Sequence, residues 1–292
     1  MRPKLHFTAP QNWINDPNGF CFYKGEYHLF YQYHPYSSQW GPMHWGHVAS
    51  KDLADWEHRP IALAPTDEYD KDGCFSGSAI ENDGKLYLLY TGHVDLDNSN
   101  GGNDRIETQC LAVSDDGKHF EKVENNPVIK ALPENLNIRT EHFRDPKVWK
   151  HGDWYYTVVG VQTKEESGQV VVYKSQDLIN WEFLNIMATS SVKENLGFMW
   201  ECPNFAEVNG HEALILSPQG VKSEGNKFLN VHQSGYFLGK MDYQTGIFHR
   251  DSKFDLLDYG FDFYAPQIMQ DEKNNRCLMI AWLDMWESNM PE

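Results

Sequence analysis

The sequence predicts an all-β fold, on the strength of its composition and of a recurring strand-like run. Aromatic residues make up 14% of the 292 residues, with ten Trp, and Ala- and Leu-rich helical stretches are hard to find. Aromatic residues favour strands. Short aromatic and aliphatic runs, each placed directly after a Gly- or Asn-containing turn, recur along the whole chain. Such runs are typical of buried strands.

The recurring run is one unit of a long-period repeat. Its five copies are spaced roughly 60 residues apart and begin at Gly25, Gly84, Gly152, Gly210 and Asn275. A second unit, with a Ser, an Asp two residues later and then an aromatic residue, follows the first four copies, at 50–56, 114–120, 175–181 and, more loosely, 241–248. The Asp in this unit suits a hairpin turn, so we interpret Asp52, Asp116 and Asp177 as turn residues.

Two units repeating in step predict a five-bladed β-propeller, in which four-stranded blades surround a central channel. A β-sandwich with coincidental spacing is the alternative. Polar segments lie about ten residues before each repeated turn, at 15–17, 75–78, 144–146, 201–203 and 264–266. Each segment would begin the innermost strand of its blade. The repeat therefore predicts a central funnel that brings together Asp16, Asp145 and Glu201.

Three carboxylates in one funnel have a chemical consequence. They repel one another in a partly desolvated space, so at least one should have a raised pKa. A pair of carboxyl groups, one ionised and one protonated, is the equipment for cleaving a glycosidic bond. Arg144 would donate hydrogen bonds to sugar hydroxyls. Flat rings that could cover the apolar face of a sugar are Trp13, Trp40, Trp45 and Trp282.

Charge and composition exclude several other classes of function. The net charge of −17 argues against nucleic acid and anionic membranes as partners. No apolar run is long enough to span a bilayer. Residues 1–7 lack the apolar core of a secretory signal, and the five Cys are scattered, so we expect reduced thiols and a cytoplasmic location.

The sequence predicts neither a metal site nor a cofactor. Segment 95–101 resembles a calcium loop but has Asn100 and Ile106 where Gly and Glu are needed. His44 and His47 lack the spacing of a zinc motif. Ser76 lies in no nucleophile-elbow motif, and Cys202 is interpreted as a small packed thiol.

Four blocks of sequence point to a family. They are Trp13-Ile-Asn-Asp-Pro-Asn-Gly19, Phe75-Ser-Gly-Ser78, Arg144-Asp-Pro146 and Glu201-Cys-Pro203. In this order they match the signature blocks of the β-fructofuranosidases of glycoside hydrolase family 32, which the chain resembles over nearly its whole length. Finer matches resemble the bacterial sucrose-6-phosphate hydrolase branch; they lie at 107–110, 199–203, 216–220, 233–236 and 257–267.

The resemblance implies a role for each matching residue. Asp16 would be the nucleophile, Glu201 the general acid/base, and Asp145 the residue that holds fructose hydroxyls and stabilises the transition state. The fructose pocket would be lined by Asn15, Gln32, Trp40, Phe75, Ser76, Arg144 and Trp282. Because the family is retaining, the Asp16 and Glu201 carboxyl groups should lie about 5–5.5 Å apart.

The resemblance also carries expectations about domains and substrate. Residues 1–292 should form one catalytic propeller with an incomplete fifth blade, without the C-terminal β-sandwich usual in the family. The expected reaction is the release of fructose from sucrose 6-phosphate or sucrose. The alternatives are a fructan exo-hydrolase, a fructosyltransferase, a hydrolase of arabinosyl or xylosyl linkages, and a non-catalytic carbohydrate-binding propeller. A phosphorylated substrate needs a basic spot at the funnel rim, for which the candidates are Arg105, Lys222 and Lys227; the oligomeric state is not predicted.

Overall fold

The computed structural model describes residue 3 and residues 6–96, 104–190 and 194–286. These residues form strands and one short 3-10 helix (Glu272–Asn274). The strands are β1 (Trp13–Tyr23), β2 (Glu26–His34), β3 (His44–Ser50), β4 (Glu57–Leu63), β5 (Gly73–Asn82), β6 (Lys85–Asp95), β7 (Arg105–Ser114), β8 (Glu121–Lys122), β9 (Ile138–His151), β10 (Trp154–Thr163), β11 (Gly168–Ser175), β12 (Trp181–Thr189), β13 (Met199–Val208), β14 (His211–Gln219), β15 (Gly235–Asp242), β16 (Ile247–Arg250), β17 (Asp255–Leu256), β18 (Tyr264–Asp271) and β19 (Arg276–Trp282). In this part of the chain, no helix has the length and apolar character needed to cross a bilayer.

The strands form antiparallel sheets in which neighbours in sequence are neighbours in space. Four sheets have four strands in sequence order, β1–β4, β5–β8, β9–β12 and β13–β16, and β17 adds to β15. A further sheet consists of β18 and β19. The first strands contact one another in a closed ring that runs β1, β5, β9, β13, β18 and back to β1. This propeller-like, all-β arrangement confirms the predicted fold class and excludes two stacked sheets.

The number of blades stays a prediction, since only four sheets are complete. The repeated run forms the second strand of each sheet: β2, β6, β10, β14 and β19. The turn role of the repeated Asp residues is confirmed. Asp52 Oδ1, for example, accepts hydrogen bonds from the amides of Ala54 and Asp55, each at 2.9 Å, and Asp116 and Asp177 bond in the same way.

Apolar side chains between neighbouring sheets hold the ring together. Phe30, Trp45 and Tyr90 are fully buried in one cluster between the first and second sheets. Trp200 and Val158 anchor the corresponding cluster between the third and fourth. Burial of one large apolar side chain contributes about 1.5–3 kcal/mol. These clusters therefore fix the relative positions of the first strands.

Every first strand carries an irregularity at the same place. The pairing of the first with the second strand shifts register after Ile14, Phe75, Glu201 and Tyr264, and after Arg144 in the third sheet. A β-bulge bends a strand and re-aims its side chains. The backbone at Asp145, Cys202 and Ala265 is left-handed, with φ of 66°, 45° and 50°. Such conformations cost about 1–3 kcal/mol each and cluster at functional sites.

The outer side of β19 is open. β19 pairs with β18 alone among the described strands. A groove of about 510 Å³ lies between β19 and the first sheet, lined by residues that include Ile14, Trp56 and Ile280. Met279 and Leu283 are 38% and 53% exposed. This edge of the ring therefore leaves apolar side chains open to solvent.

Candidate active site

Asp16 lies in the bulge of β1 and is almost completely buried. Its Oδ2 accepts a hydrogen bond from Ser76 Oγ (2.8 Å) and a weaker one from Cys202 Sγ (3.6 Å). Its Oδ1 is buried and accepts no hydrogen bond from the described residues. Burial, followed by the charge of Glu201, raises the pKa of Asp16 to about 6, and the nearby side chains of Ser76, Asn15 and Cys202 oppose that rise. The carboxyl is therefore mostly ionised at pH 7 and protonated in mild acid.

Asp145 lies beside Asp16 and shares a neighbour with it. Asp145 Oδ2 accepts the Cys202 amide at 2.9 Å and lies 3.7 Å from Cys202 Sγ. Its own amide donates to Thr91 Oγ1 at 3.0 Å. Burial raises the pKa of Asp145 well above its usual range; Arg144 opposes this effect, while Glu201 and Asp16 add to it. The prediction that at least one of the three acids has a raised pKa is confirmed for Asp16 and Asp145.

Glu201 is the most heavily hydrogen-bonded of the three acids. Its Oε1 accepts Arg144 Nε at 3.1 Å and Nη2 at 2.7 Å. Its Oε2 accepts Gln219 Nε2 at 2.8 Å and the Tyr264 hydroxyl at 2.6 Å. The side chain is 13% exposed, so it is enclosed yet open to the funnel. Charge-assisted bonds of this kind fix the orientation of a carboxylate.

Arg144 connects Glu201 to a second buried acid. Its Nη1 lies 3.4 Å from Glu107 Oε2, which also accepts the Phe143 amide at 2.8 Å. Burial alone would raise the pKa of Glu107, but Arg144, with help from His93 and the Phe143 amide, holds it at about 2. The guanidinium is thus held between two carboxylates and pairs with both.

Arg144 also sets the protonation of His142. Arg144 Nη1 lies 2.9 Å from His142 Nδ1. Because an arginine can only donate, His142 Nδ1 must be the unprotonated acceptor, and the ring proton of the neutral form lies on Nε2. Burial and the charge of Arg144 lower the pKa of His142 to about 4. His142 therefore presents an N–H donor at neutral pH.

The remaining predicted pocket residues lie around this acidic centre. Gln32 is buried and donates to the Cys74 carbonyl at 3.0 Å, next to Phe75. The Trp40 ring contacts the Phe75 ring edge-on at 5.9 Å and is 47% exposed, as expected of a rim residue. Trp282 is buried and contacts the Trp13 ring.

Trp13 in turn links Trp282 to the acidic centre, because its Nε1 donates to Asn15 Oδ1 at 2.7 Å. The structure therefore brings the predicted residues to one region. One sugar-stacking expectation is wrong. Trp45 is fully buried and donates to the Phe75 carbonyl at 3.0 Å, so it packs in the core and supports Phe75 from behind.

Sequence reasoning missed part of this network. Cys202 is buried and its pKa is well above the ordinary range, as expected of an inert packed thiol, but its thiol and amide also connect Asp16 with Asp145. Glu107 and Gln219 lie only in the blocks that carry the family resemblance. Tyr264 lies in such a block too, but it also begins the fifth polar segment of the repeat, which was a usable signal.

Other possible site chemistry finds little support. Within the described ranges, no group of three or more His, Cys, Asp or Glu side chains has an arrangement suited to a metal ion. The calcium-like segment 95–101 falls outside the described residues from position 97 onwards.

Comparisons with known proteins agree with this geometry. The model of the N-terminal domain of glycosyl hydrolases family 32 matches residues 6–292. A sucrose-6-phosphate hydrolase of Zymomonas mobilis is 47% identical over 99% of this chain and 56% of its own length. One from Bacillus subtilis is 44% identical over 97% of this chain and 57% of its own length.

A solved structure is also similar to this chain over nearly its whole length. A beta-fructofuranosidase of Bombyx mori in complex with sucrose superposes with a TM-score of 0.89 at 45% identity, covering 99% of this chain and 59% of that one. The chain therefore spans little more than half the length of the relatives it matches. Family model, sequence identity, fold and the four signature blocks agree, and the chain belongs to glycosyl hydrolases family 32.

Proposed function

We propose that this chain is the catalytic propeller of a retaining β-fructofuranosidase that releases fructose from sucrose 6-phosphate or sucrose. One observation carries the proposal: Asp16, Asp145 and Glu201 are linked through Cys202 and Arg144 at one end of the ring of first strands. Similarity to the sucrose-6-phosphate hydrolases of Zymomonas mobilis and Bacillus subtilis supports the substrate class.

In the first step, Asp16 attacks the anomeric carbon of the fructosyl unit. Oδ1 is the attacking atom, because Oδ2 is held by Ser76 and Cys202 whereas Oδ1 has no partner among the described residues. As the Asp16–fructosyl bond forms, the glycosidic bond breaks and its electron pair goes to the leaving oxygen. Glu201 gives that oxygen a proton through a transition state with oxocarbenium character.

In the second step, Glu201 removes a proton from water, and the resulting hydroxide attacks the anomeric carbon. The bond to Asp16 breaks, the carboxylate is restored, and fructose leaves with its original configuration. This scheme requires a separation of about 5–5.5 Å between the Asp16 and Glu201 carboxyl groups, which is too short for an attacking water to fit between them. It requires no metal ion or organic cofactor.

The other pocket residues hold the fructosyl unit. We assign Asp145 and Arg144 to its hydroxyl groups, since both are buried and carry polar atoms beside Asp16 and Glu201. Asn15, Gln32, Trp40, Phe75, Ser76 and Trp282 complete the pocket in this proposal. Strengthening of the hydroxyl contacts in the transition state would add several kcal/mol to catalysis.

The two-stranded sheet is proposed to be the inner half of a fifth blade. Its first strand, β18, joins the ring of first strands, and its register shift after Tyr264 matches those of the other sheets. On this reading, residues 1–292 form one catalytic unit. The five cysteines are free thiols, which supports a reducing, cytoplasmic setting.

The proposal is tested by initial rates of fructose release from sucrose 6-phosphate, sucrose and inulin. We expect release from the first two, and loss of turnover in Asp16→Ala and Glu201→Ala with the fold retained. Asp52→Ala, which removes a carboxylate from an outer turn, should remain active. No release from any substrate by folded protein would favour a binding-only propeller, and a preference for inulin would favour a fructan exo-hydrolase.

A further inference from the structure

A second basic group lies near the candidate active site and has no hydrogen-bond or ion-pair partner among the residues that the structure describes. Arg105 is the first residue of β7 and is half-buried. No hydrogen bond or ion pair joins its guanidinium to the part of the chain that the structure describes, whereas Arg59, Arg144 and Arg276 each pair with a carboxylate. In a chain with a net charge of −17, an arginine that pairs with no described carboxylate is exceptional. A guanidinium presents a rigid fork of donors suited to a phosphate.

Strand geometry places Arg105 on the funnel side. Side chains two residues apart on a strand share a face, so Arg105 lies on the same face of β7 as Glu107. Glu107 bonds the Phe143 amide and Arg144, which fixes this face against residues 142–144 of β9. Arg105 stands one step closer than Glu107 to the start of β7, opposite Asp95 at the end of β6. It therefore lies outward from the acidic centre, towards the rim.

His142 supplies a second donor at the same place. Its Nδ1 accepts from Arg144, so its Nε2 carries the proton. That Nε2 bonds no described residue. Arg144 Nη1 reaches both His142 Nδ1 and Glu107 Oε2, and Arg105 shares the β7 face of Glu107, so Arg105 and His142 lie on the same side of Arg144. The two side chains form a basic notch, defined here as Arg105 and His142, on the side of Arg144 away from Glu201.

We propose that this notch binds the phosphate monoester of a phosphorylated leaving sugar. The inference rests on the proposed function, because Glu201 must protonate the oxygen of the leaving sugar. That sugar then lies beside Arg144, and a phosphate on its far side is within the neighbourhood of Arg105 and His142. The other two basic candidates fit less well: Lys222 is exposed on a loop, and Lys227 lies 3.8 Å from the Asp255 carboxylate.

The first test compares kcat/KM for sucrose 6-phosphate with that for sucrose in wild type, Arg105→Gln and Lys222→Gln. Arg105→Gln removes a charge-assisted contact to the phosphate. We therefore expect it to lower the ratio of kcat/KM for sucrose 6-phosphate to kcat/KM for sucrose by about tenfold or more. Lys222→Gln, which removes the same charge from an exposed loop, should leave the ratio unchanged. An equal loss on both substrates in Arg105→Gln, or a selective loss in Lys222→Gln, would overturn the proposal.

A binding measurement separates this inference from the proposed function. Calorimetric titration with glucose 6-phosphate and with glucose needs no turnover. Wild type should bind the phosphorylated sugar at least about tenfold more tightly, and Arg105→Gln should lose that difference. If fructose is released normally but glucose 6-phosphate binds no better than glucose, the proposed phosphate site is wrong and the proposed hydrolase activity is supported. If glucose 6-phosphate binds more tightly than glucose but no fructose is released, the proposed phosphate site is supported and the proposed hydrolase activity is wrong.

Discussion

Replacement of Ser76 by Ala should move the acid limb of the pH–rate profile. The Ser76 hydroxyl donates to Asp16 Oδ2 at 2.8 Å, and both side chains are buried. A hydrogen bond to a charged group contributes about 1.5–3 kcal/mol. One pKa unit corresponds to about 1.36 kcal/mol. Because the bond stabilises the ionised form, its loss should raise the pKa of Asp16, which is about 6, by a further unit or two.

The direction of the effect follows from the proposed mechanism. Asp16 must be ionised to attack, so a higher pKa means that activity falls off at a higher pH. The assay is kcat/KM for fructose release as a function of pH, which reports the free enzyme. Ser78→Ala is the matched control, because Ser78 lies on the same strand but bonds the backbone of Pro146 and Val148. An acid limb that stays in place in Ser76→Ala would refute this account of Asp16.

Two further predictions concern stability and thiol reactivity. The pKa of Asp16 is raised from 3.8 to about 6, so the folded state holds the proton more tightly and loses stability as pH rises through that window. Asp16→Asn should therefore unfold at a higher temperature than wild type at pH 7, with a gain of up to about 3 kcal/mol that disappears near pH 3. Burial raises the pKa of all five thiols, but Cys277 alone is partly exposed, so only Cys277 should be alkylated in the native protein at pH 8. Mass spectrometry before and after unfolding checks this, and rapid labelling of Cys202 in native protein would contradict it.

The repeat made the ring of first strands and the meeting of the three acids predictable. Each polar segment stands at a similar distance before its turn, about ten residues, and register within a repeat carries directly into three dimensions. For this reason Asp16, Asp145 and Glu201, which are far apart in sequence, were predicted to share one funnel. The turn Asp residues were predictable because their hydrogen bonds are local.

The bulges were not predictable, because nothing local demands them. Asp145 and Cys202 adopt left-handed backbone, which Gly usually occupies, and no Gly stands at either position. The strain is held by long-range bonds, from the Asp145 amide to Thr91 and from the Cys202 amide to Asp145. The sugar-stacking prediction for Trp45 was wrong for a related reason. Its ring type suits a sugar platform, but the packing of two neighbouring sheets buries it completely.

The most direct test of the account is to trap the covalent intermediate and locate it. Glu201→Ala should still be fructosylated by a fructosyl donor whose leaving group needs no proton, but should release fructose slowly because no base activates water. Peptide mass spectrometry of the quenched enzyme should find one fructosyl unit on the peptide that carries Asp16, and none in Asp16→Ala. A fructosyl unit on another residue, or product formed with inverted configuration, would contradict the assignment of Asp16 as nucleophile.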